Sequence, residues 1–425
     1  VETQLPSGGW RGDEVLDPER PMAQNVRTRF VDGESVLLRY VLGNARSYVW
    51  AITADRTTVH ELAGRAEIER RVRQYTASCS IAARSDDRAE GGSQSMGPER
   101  DEASALGRLL LAPVAWALDR PRALILADGM LQRLPFASLP HPTNGFPLIL
   151  HHEIVHLPSA SHLVLQRGHW HRHREWSKPV VVFADPVFGV ADPRIAAVAN
   201  RPAVPSASHG SDMGSDIPEP LAGALRDMPG FSGAAIPRLS GTCREAGRIK
   251  TLAPRADVFV GFQATRAAAT NARLAKYRIV HFATHGIIDD RHPERSGLIL
   301  SLVDRSGRPQ DGYLRLEDIR NLWLPVDLVV LSGCSTSLGD DASNVGMNGL
   351  VRSFLSAGSR RVIATLWRSD DRSTSALMAK FYRGLFDMGL TPPAALRAAQ
   401  VELLTRTRWK RPFHWAAFVF QGDWT

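Results

Sequence analysis

Two residues in this chain have the chemistry to work on a covalent bond together, and each sits where a strand-like run ends. Arg278–Ala283 (RIVHFA) exits into Thr284-His285-Gly286, and Leu328–Ser332 (LVVLS) exits into Gly333-Cys334-Ser335-Thr336. A cysteine is a strong nucleophile only as its thiolate, and a neighbouring imidazole can take the proton. The same imidazole can hand that proton to a departing amine, because its ordinary pKa lies close to neutral pH. Attack on a carbonyl builds an oxyanion, for which the backbone N–H groups of Gly286 and Cys334 are natural donors. A glycine beside each residue suits a tight turn and close substrate approach. A lone cysteine at a strand end is usually a small buried hydrophobe, and a lone histidine a structural hydrogen-bonder, so spacing alone leaves both readings open. His281 lies within its strand and reads as a packing residue; Cys79 and Cys243, on or near helices, read as structural.

In open α/β sheets, ligands bind beyond the carboxyl ends of the strands, which is where both exits fall. Further strands are expected at 35–42, 47–53, 57–62, 123–127, 154–157, 180–184, 258–261, 298–302, 361–367 and 415–421. Helices are expected at 66–75, at 106–118 with a division near Pro113, and at 243–252 and 265–274. Three more follow: 347–357 stopped by Gly358, one capped by Asp370 or Asp371 that reaches Met388, and one opened by Thr391-Pro392. This alternation predicts an α/β fold with a mostly parallel sheet covered on both faces. Residues 1–30 are polar and rich in Pro and Gly, and are expected to be a flexible arm. Residues 84–103 read as a charged linker, and 189–236 as a long loop.

A chain of 425 residues with 44% hydrophobic and 23% charged residues can bury a core, which excludes global disorder. No apolar run approaches the ~20 residues of a bilayer-spanning helix, so no membrane association is expected. The start, VETQLPSGGW, has neither a basic nor an apolar leader, which predicts a cytoplasmic protein; opening on Val predicts a fragment or processed form. The net charge is +8, yet only five of the 52 basic residues are lysines and no basic stripe is interleaved with aromatics. Nucleic acid is therefore not an expected partner. Three scattered cysteines argue against a disulfide framework. The His-rich piece 168–174 reads as a solvated loop, since its arginines oppose a cation; no metal and no organic cofactor is expected. No G-x-S-x-G elbow is present, which sets aside a serine hydrolase of α/β type.

The blocks HFATHG (281–286) and VVLSGCSTSLGDD (329–341) resemble the CHAT peptidases, caspase-like bacterial relatives of caspases and separase. The resemblance continues through 347–385 and 411–424, and upstream through 37–53, 124–140, 156–167 and 183–189, so it covers about 35–425. It implies a caspase-like three-layer α/β sandwich with a degenerate N-terminal half, 31–175, and a catalytic C-terminal half, 176–425. It implies a Cys-His dyad of Cys334 and His285, with Gly286 and Cys334 at the oxyanion site. The implied activity is that of a cysteine endopeptidase acting on a protein or peptide. The alternative is a catalytically silent signalling or protein-interaction domain of the same fold. Family members often carry helical repeats ahead of this domain, so a regulatory partner or repeat module is expected outside this chain. The QAC[RQG]G block of true caspases is missing, and aspartate specificity is not inherited.

Acids cluster after the strand exits: Asp289 and Asp290 after the histidine, Asp340 and Asp341 after the cysteine, Asp370 and Asp371 after TLW. Asp289, Asp370 and Asp371 are the candidates for pairing with a basic P1 side chain. The competing reading is helix capping for Asp370 or Asp371 and turn chemistry for the others.

Overall fold

The structure, a computed structural model, describes residues 31–86, 98–159, 163, 167, 175–198, 221, 236–289, 292–333, 336–338, 345–367 and 370–425. The expected arm at 1–30, the His-rich piece 168–174, Cys334, Asp290, Asp340, Asp341 and most of 189–236 lie outside the described residues.

The strands are β1 (Ser35–Val41), β2 (Ser47–Ile52), β3 (Thr57–Leu62), β4 (Arg122–Leu126), β5 (Glu153–His156), β6 (Lys178–Ala184), β7 (Asp257–Val260), β8 (Tyr277–Ala283), β9 (Gly286–Asp289), β10 (Gly297–Ile299), β11 (Tyr313–Arg315), β12 (Leu328–Ser332), β13 (Thr336–Leu338), β14 (Arg361–Thr365) and β15 (Phe418–Gly422). The helices are α1 (Arg65–Asp86), α2 (Pro98–Leu110), α3 (Pro193–Val198), α4 (Ser240–Leu252), α5 (Leu316–Arg320), α6 (Val345–Ser356), α7 (Asp371–Phe386) and α8 (Pro392–Arg406). Arg266–Ala269 and Pro412–Trp415 are single helical turns.

One large sheet runs in the order β3-β2-β1-β4-β5-β15-β14-β12-β8-β6-β7. Its pairs are antiparallel at β3-β2, β2-β1 and β14-β15, and parallel elsewhere. A second, small sheet has the order β11-β10-β9-β13. The central strands are mostly apolar on both faces because both faces are covered. Along β8, Ile279 and Ala283 face one core cluster; Val280 and Phe282 face another. Leu377, Met378 and Phe381 of α7 and Ile249 of α4 close the first face, and Leu350, Val351 and Phe354 of α6 close the second. This makes three layers. The first cluster continues from Val36 and Leu124 to Ile363 and Phe420, so the first five strands share a core with the rest. Arg397 reinforces that continuity by donating to the carbonyls of Ile149 and Leu150 at 2.9 and 2.6 Å.

Several boundaries differ from expectation for local reasons. The proposed linker is narrower, because α1 runs on to Asp86 and α2 opens at Pro98 with Glu99 and Asp101 in its first turn. The expected helix over 265–274 is divided: Thr270 ends the turn Arg266–Ala269, and Asn271 caps a new 3₁₀ turn by accepting from the Arg273 N–H. The strand expected at 298–302 ends at Ile299. Within 189–236, the described stretch Pro193–Val198 is helical rather than loop. Gly358 stops α6 as expected, at φ +109°.

Burial of two histidines gives this fold an acid sensitivity. Burial pushes the pKa of His152 and of His156 down to about 4 from the ordinary 6.5. The unfolded chain binds protons at these rings below about pH 6.5, while the folded chain does not until about pH 4. Their contribution is therefore complete above about pH 6.5 and is lost as the pH falls toward 4, by up to roughly 3 kcal/mol each. Urea midpoints should drop between pH 7.5 and pH 5, and His156→Phe should lose less across that interval than wild type; equal losses would refute the assignment.

Candidate active site

The site lies where two neighbouring strands leave the large sheet and enter the small one. In the large sheet β8 and β12 are parallel partners, with Ala283 beside Ser332. In the small sheet β9 and β13 are parallel partners, with Ile287 beside Thr336. Both chains thus cross between the same two pairs of register partners through three residues each: Thr284-His285-Gly286 and Gly333-Cys334-Ser335. Cys334 itself lies outside the described residues. Its neighbour Gly333 has φ +92°, and a Cβ placed there would lie 3.4 Å from the Thr284 carbonyl oxygen. The residue before the cysteine therefore rests against the residue before the histidine. Glycine is required by that backbone angle.

His285 is held from three sides. It is only 3% exposed, its ring lies 5.3 Å from that of Phe188, and its carbonyl accepts from the Ile299 N–H at 2.9 Å. Its Nε2 is 2.7 Å from the Pro237 carbonyl oxygen. A carbonyl can only accept, so Nε2 carries a proton, and in the neutral form of the ring the lone pair is on Nδ1. That nitrogen is the one able to receive a proton from a thiol. Thr284 donates its hydroxyl to the Ile299 carbonyl, which fastens the crossing chain to the small sheet. Gly286 opens β9 opposite Leu298 and is buried.

The three acidic candidates occupy different settings. Asp289, at the end of β9, is buried; its Oδ1 accepts from the His292 N–H at 2.8 Å, and its own N–H donates to Ser296 Oγ. Asp370 is the N-cap of α7, accepting from the Ser373 N–H at 2.8 Å. Asp371 is exposed in the first turn of α7 and packs on Gly241 of α4, where an added Cβ would come within 2.7 Å of it. His281 lies in the core between β8, α4 and α7. Its Nδ1 meets the Tyr382 hydroxyl at 2.9 Å. Glu245 Oε1 lies 2.9 Å from its Nε2, off the line of a proper hydrogen bond. Burial, with Glu245 adding to it, holds the Tyr382 hydroxyl well above its ordinary pKa.

Sequence reasoning assigned no role to Pro237, which acts through its main chain, or to Asp185, which follows the strand expected at 180–184. The signal for Asp185 was an acid at the carboxyl end of a strand that pairs directly with β8.

The family signature of the CHAT domain matches residues 100–423. This chain belongs to the CHAT domain family. Human tetratricopeptide repeat protein 28 is 32% identical to it over 114 residues, 27% of this chain and 4% of that protein. The mouse protein of the same name is 31% identical over 110 residues, again 4% of its length. The chain thus spans a small fraction of those curated relatives. Among solved structures, Saccharomyces cerevisiae separase in complex with securin superposes with a TM-score of 0.56 at 8% identity, over 94% of this chain and 30% of that one. The complex of pro- and mature domains of Porphyromonas gingivalis RgpB gives 0.41 at 9% identity, over 74% and 70%. The likeness to separase shows the fold of this CHAT domain: a caspase-like α/β arrangement with a large, mostly parallel sheet.

Gly333→Ala tests the crossing. Forcing a Cβ onto that backbone angle should lower stability by about 1–2 kcal/mol in urea unfolding. An unchanged midpoint would show that the crossing tolerates a side chain.

Proposed function

We propose that this CHAT domain is a cytoplasmic cysteine endopeptidase with Cys334 as nucleophile and His285 as base and acid. The observation that carries the reading is the in-step crossing of β8 and β12 into β9 and β13, with His285 protonated at Nε2 by its bond to Pro237. In this reading the Cys334 thiol gives its proton to His285 Nδ1, and the thiolate attacks the peptide carbonyl carbon. A C–S bond forms and the oxyanion is met by the Gly286 and Cys334 amides. As the C–N bond breaks, Nδ1 returns the proton to the departing amine, leaving a thioester. Water then attacks the thioester carbon and gives a proton to His285; the C–S bond breaks to release the acid, and His285 returns the proton to the Cys334 sulfur. The division into a non-catalytic half, 31–175, and a catalytic half, 176–425, belongs to the same proposal. So does a protein partner or repeat module outside this chain, an idea supported by the tetratricopeptide repeat relatives.

Thiol chemistry separates this reading from a silent interaction domain. Burial pushes the Cys79 thiol up to about 12, so among the described cysteines only exposed Cys243 competes for an electrophile. Iodoacetamide should label Cys334 well ahead of Cys243, and His285→Ala should remove that advantage. Peptide cleavage by the full chain should fall by about a thousandfold or more in Cys334→Ala and in His285→Ala. New protein N-termini made equally by wild type and Cys334→Ala would sink the peptidase reading.

A preference for a basic P1 residue is proposed from Asp289, Asp370 and Asp371. Asp371 supports it best, being exposed, while Asp370 is engaged in capping and Asp289 is buried. Peptides with Arg at P1 should be turned over faster than those with Asp or Met; equal or absent turnover of the Arg peptide would remove the preference.

A further inference from the structure

At the carboxyl end of β6, beside the β8 exit, stands an ion cluster that no step above uses. Asp185 follows Ala184, the register partner of Ala283. It is the one non-glycine residue with positive φ among the described residues, at +46°, and it is 2% exposed. A buried carboxylate on a strained backbone persists only where its surroundings over-determine it. Here they do. Arg238 grips Asp185 with both arms of its guanidinium, Nε to Oδ1 at 2.9 Å and Nη2 to Oδ2 at 2.7 Å. Arg194 adds Nη1 to Oδ2 at 3.0 Å and is itself paired with Asp192 at 2.7 Å. Two acids and two arginines thus balance, so the cluster offers no net charge to a substrate.

What it does hold is a short piece of chain. Arg238 follows Pro237, whose carbonyl receives the His285 Nε2 proton. On the other side, the Thr242 hydroxyl donates to the Leu239 carbonyl at 2.7 Å and accepts from the Asp185 N–H at 2.9 Å. The segment 237–239 is therefore tied to one aspartate twice, through its side chain and through its amide, with the His285 acceptor at one end of the tie. A main-chain carbonyl has no rotamer of its own; it can aim at an imidazole only if the chain bearing it is fixed.

We propose that Asp185 and Arg238 are positioning residues for His285: their bidentate pair fixes the Pro237 carbonyl and so sets which imidazole nitrogen keeps its lone pair. This deepens the peptidase reading and rests on it for its catalytic meaning, but its physical content is measurable without any turnover.

The full chain labelled with ¹⁵N-histidine serves as the probe, with His285→Gln assigning the ring. In wild type, two-bond ¹H–¹⁵N correlations should show His285 protonated at Nε2, with that proton protected from exchange. Arg238→Ala is the test variant; Arg238 is 41% exposed and Arg194 still neutralises Asp185, so the fold is retained. Protection of the Nε2 proton should fall by about tenfold or more in Arg238→Ala, and Arg238→Lys, which keeps the charge but not the fork, should recover part of it. Where peptide turnover is measurable, kcat should fall with protection while KM changes little. An Nε2 proton equally protected in wild type and Arg238→Ala would overturn the proposal. Loss of protection in a chain that cleaves no peptide would uphold the positioning and refute the peptidase reading.

Discussion

Everything at this site depends on two parallel strands changing sheets in step. β8 and β12 are hydrogen-bonded neighbours up to Ala283 and Ser332, and their continuations β9 and β13 are neighbours again from Ile287 and Thr336. A chain that leaves a sheet alone exposes unpaired backbone groups; two that leave together can re-pair beyond the gap. The gap is three residues long on both sides, and each side carries one residue with acid–base or nucleophilic chemistry. Slippage of one strand by a single residue would turn every side chain of that strand to the opposite face and break the match. The placement of the two crossings is thus set by the ladder rather than by the loops.

The second requirement is that the imidazole stop rotating. The ring of Phe188 and the Pro237 carbonyl, brought in from the segment just before α4, meet the imidazole itself, and the small-sheet amide of Ile299 fixes the main chain that bears it. These come from three separate stretches of chain. Phe188 belongs to an apolar cluster with Ile287, Ile299 and Tyr313, so the small sheet and the histidine share one packing unit. A preorganised group of this kind needs no rearrangement when charge develops on it, which is the usual source of catalytic electrostatics.

How much of this was legible in the sequence follows from element length and from what carries the signal. LVVLS reads as a strand at 328–332 with both boundaries correct, because four apolar residues in a row closed by a turn have few other uses. Gly286–Asp289, Tyr313–Arg315 and Thr336–Leu338 did not read as strands: three or four residues hold no detectable period, and a glycine start suggests a turn. Of the small sheet only β10 was legible, within the strand expected at 298–302, so the pairing that explains the crossing was not. The strand exits holding His285 and Cys334 could be read because side-chain chemistry marks them. Pro237 could not, since its contribution is a carbonyl that any residue would supply. Asp185 lies 52 positions before it, and only the folded chain brings the two stretches together.

Some of the arginines acquire a physical meaning at the opposite end of the same strands. Arg278 enters β8, Asp327 precedes β12 and Arg361 opens β14; Asp327 takes Arg278 at 3.0 Å and Arg361 at 2.9 Å. Burial pushes the Arg361 pKa down to about 10, so this pair is desolvated and adds little net stability by itself. Its geometry, however, fits one register. Moving β12 by a residue would separate Asp327 from two guanidinium groups, one of them buried, and leave charge unpaired where water cannot reach it. Asp423 repeats the device with Arg360 at 2.8 Å and Arg167 at 2.7 Å. Four of the arginines, Arg278, Arg361, Arg360 and Arg167, are thus engaged by two nearly buried carboxylates. Ion pairs at the amino ends of the strands hold the ladder in the one alignment that matches three residues to three residues at the carboxyl ends.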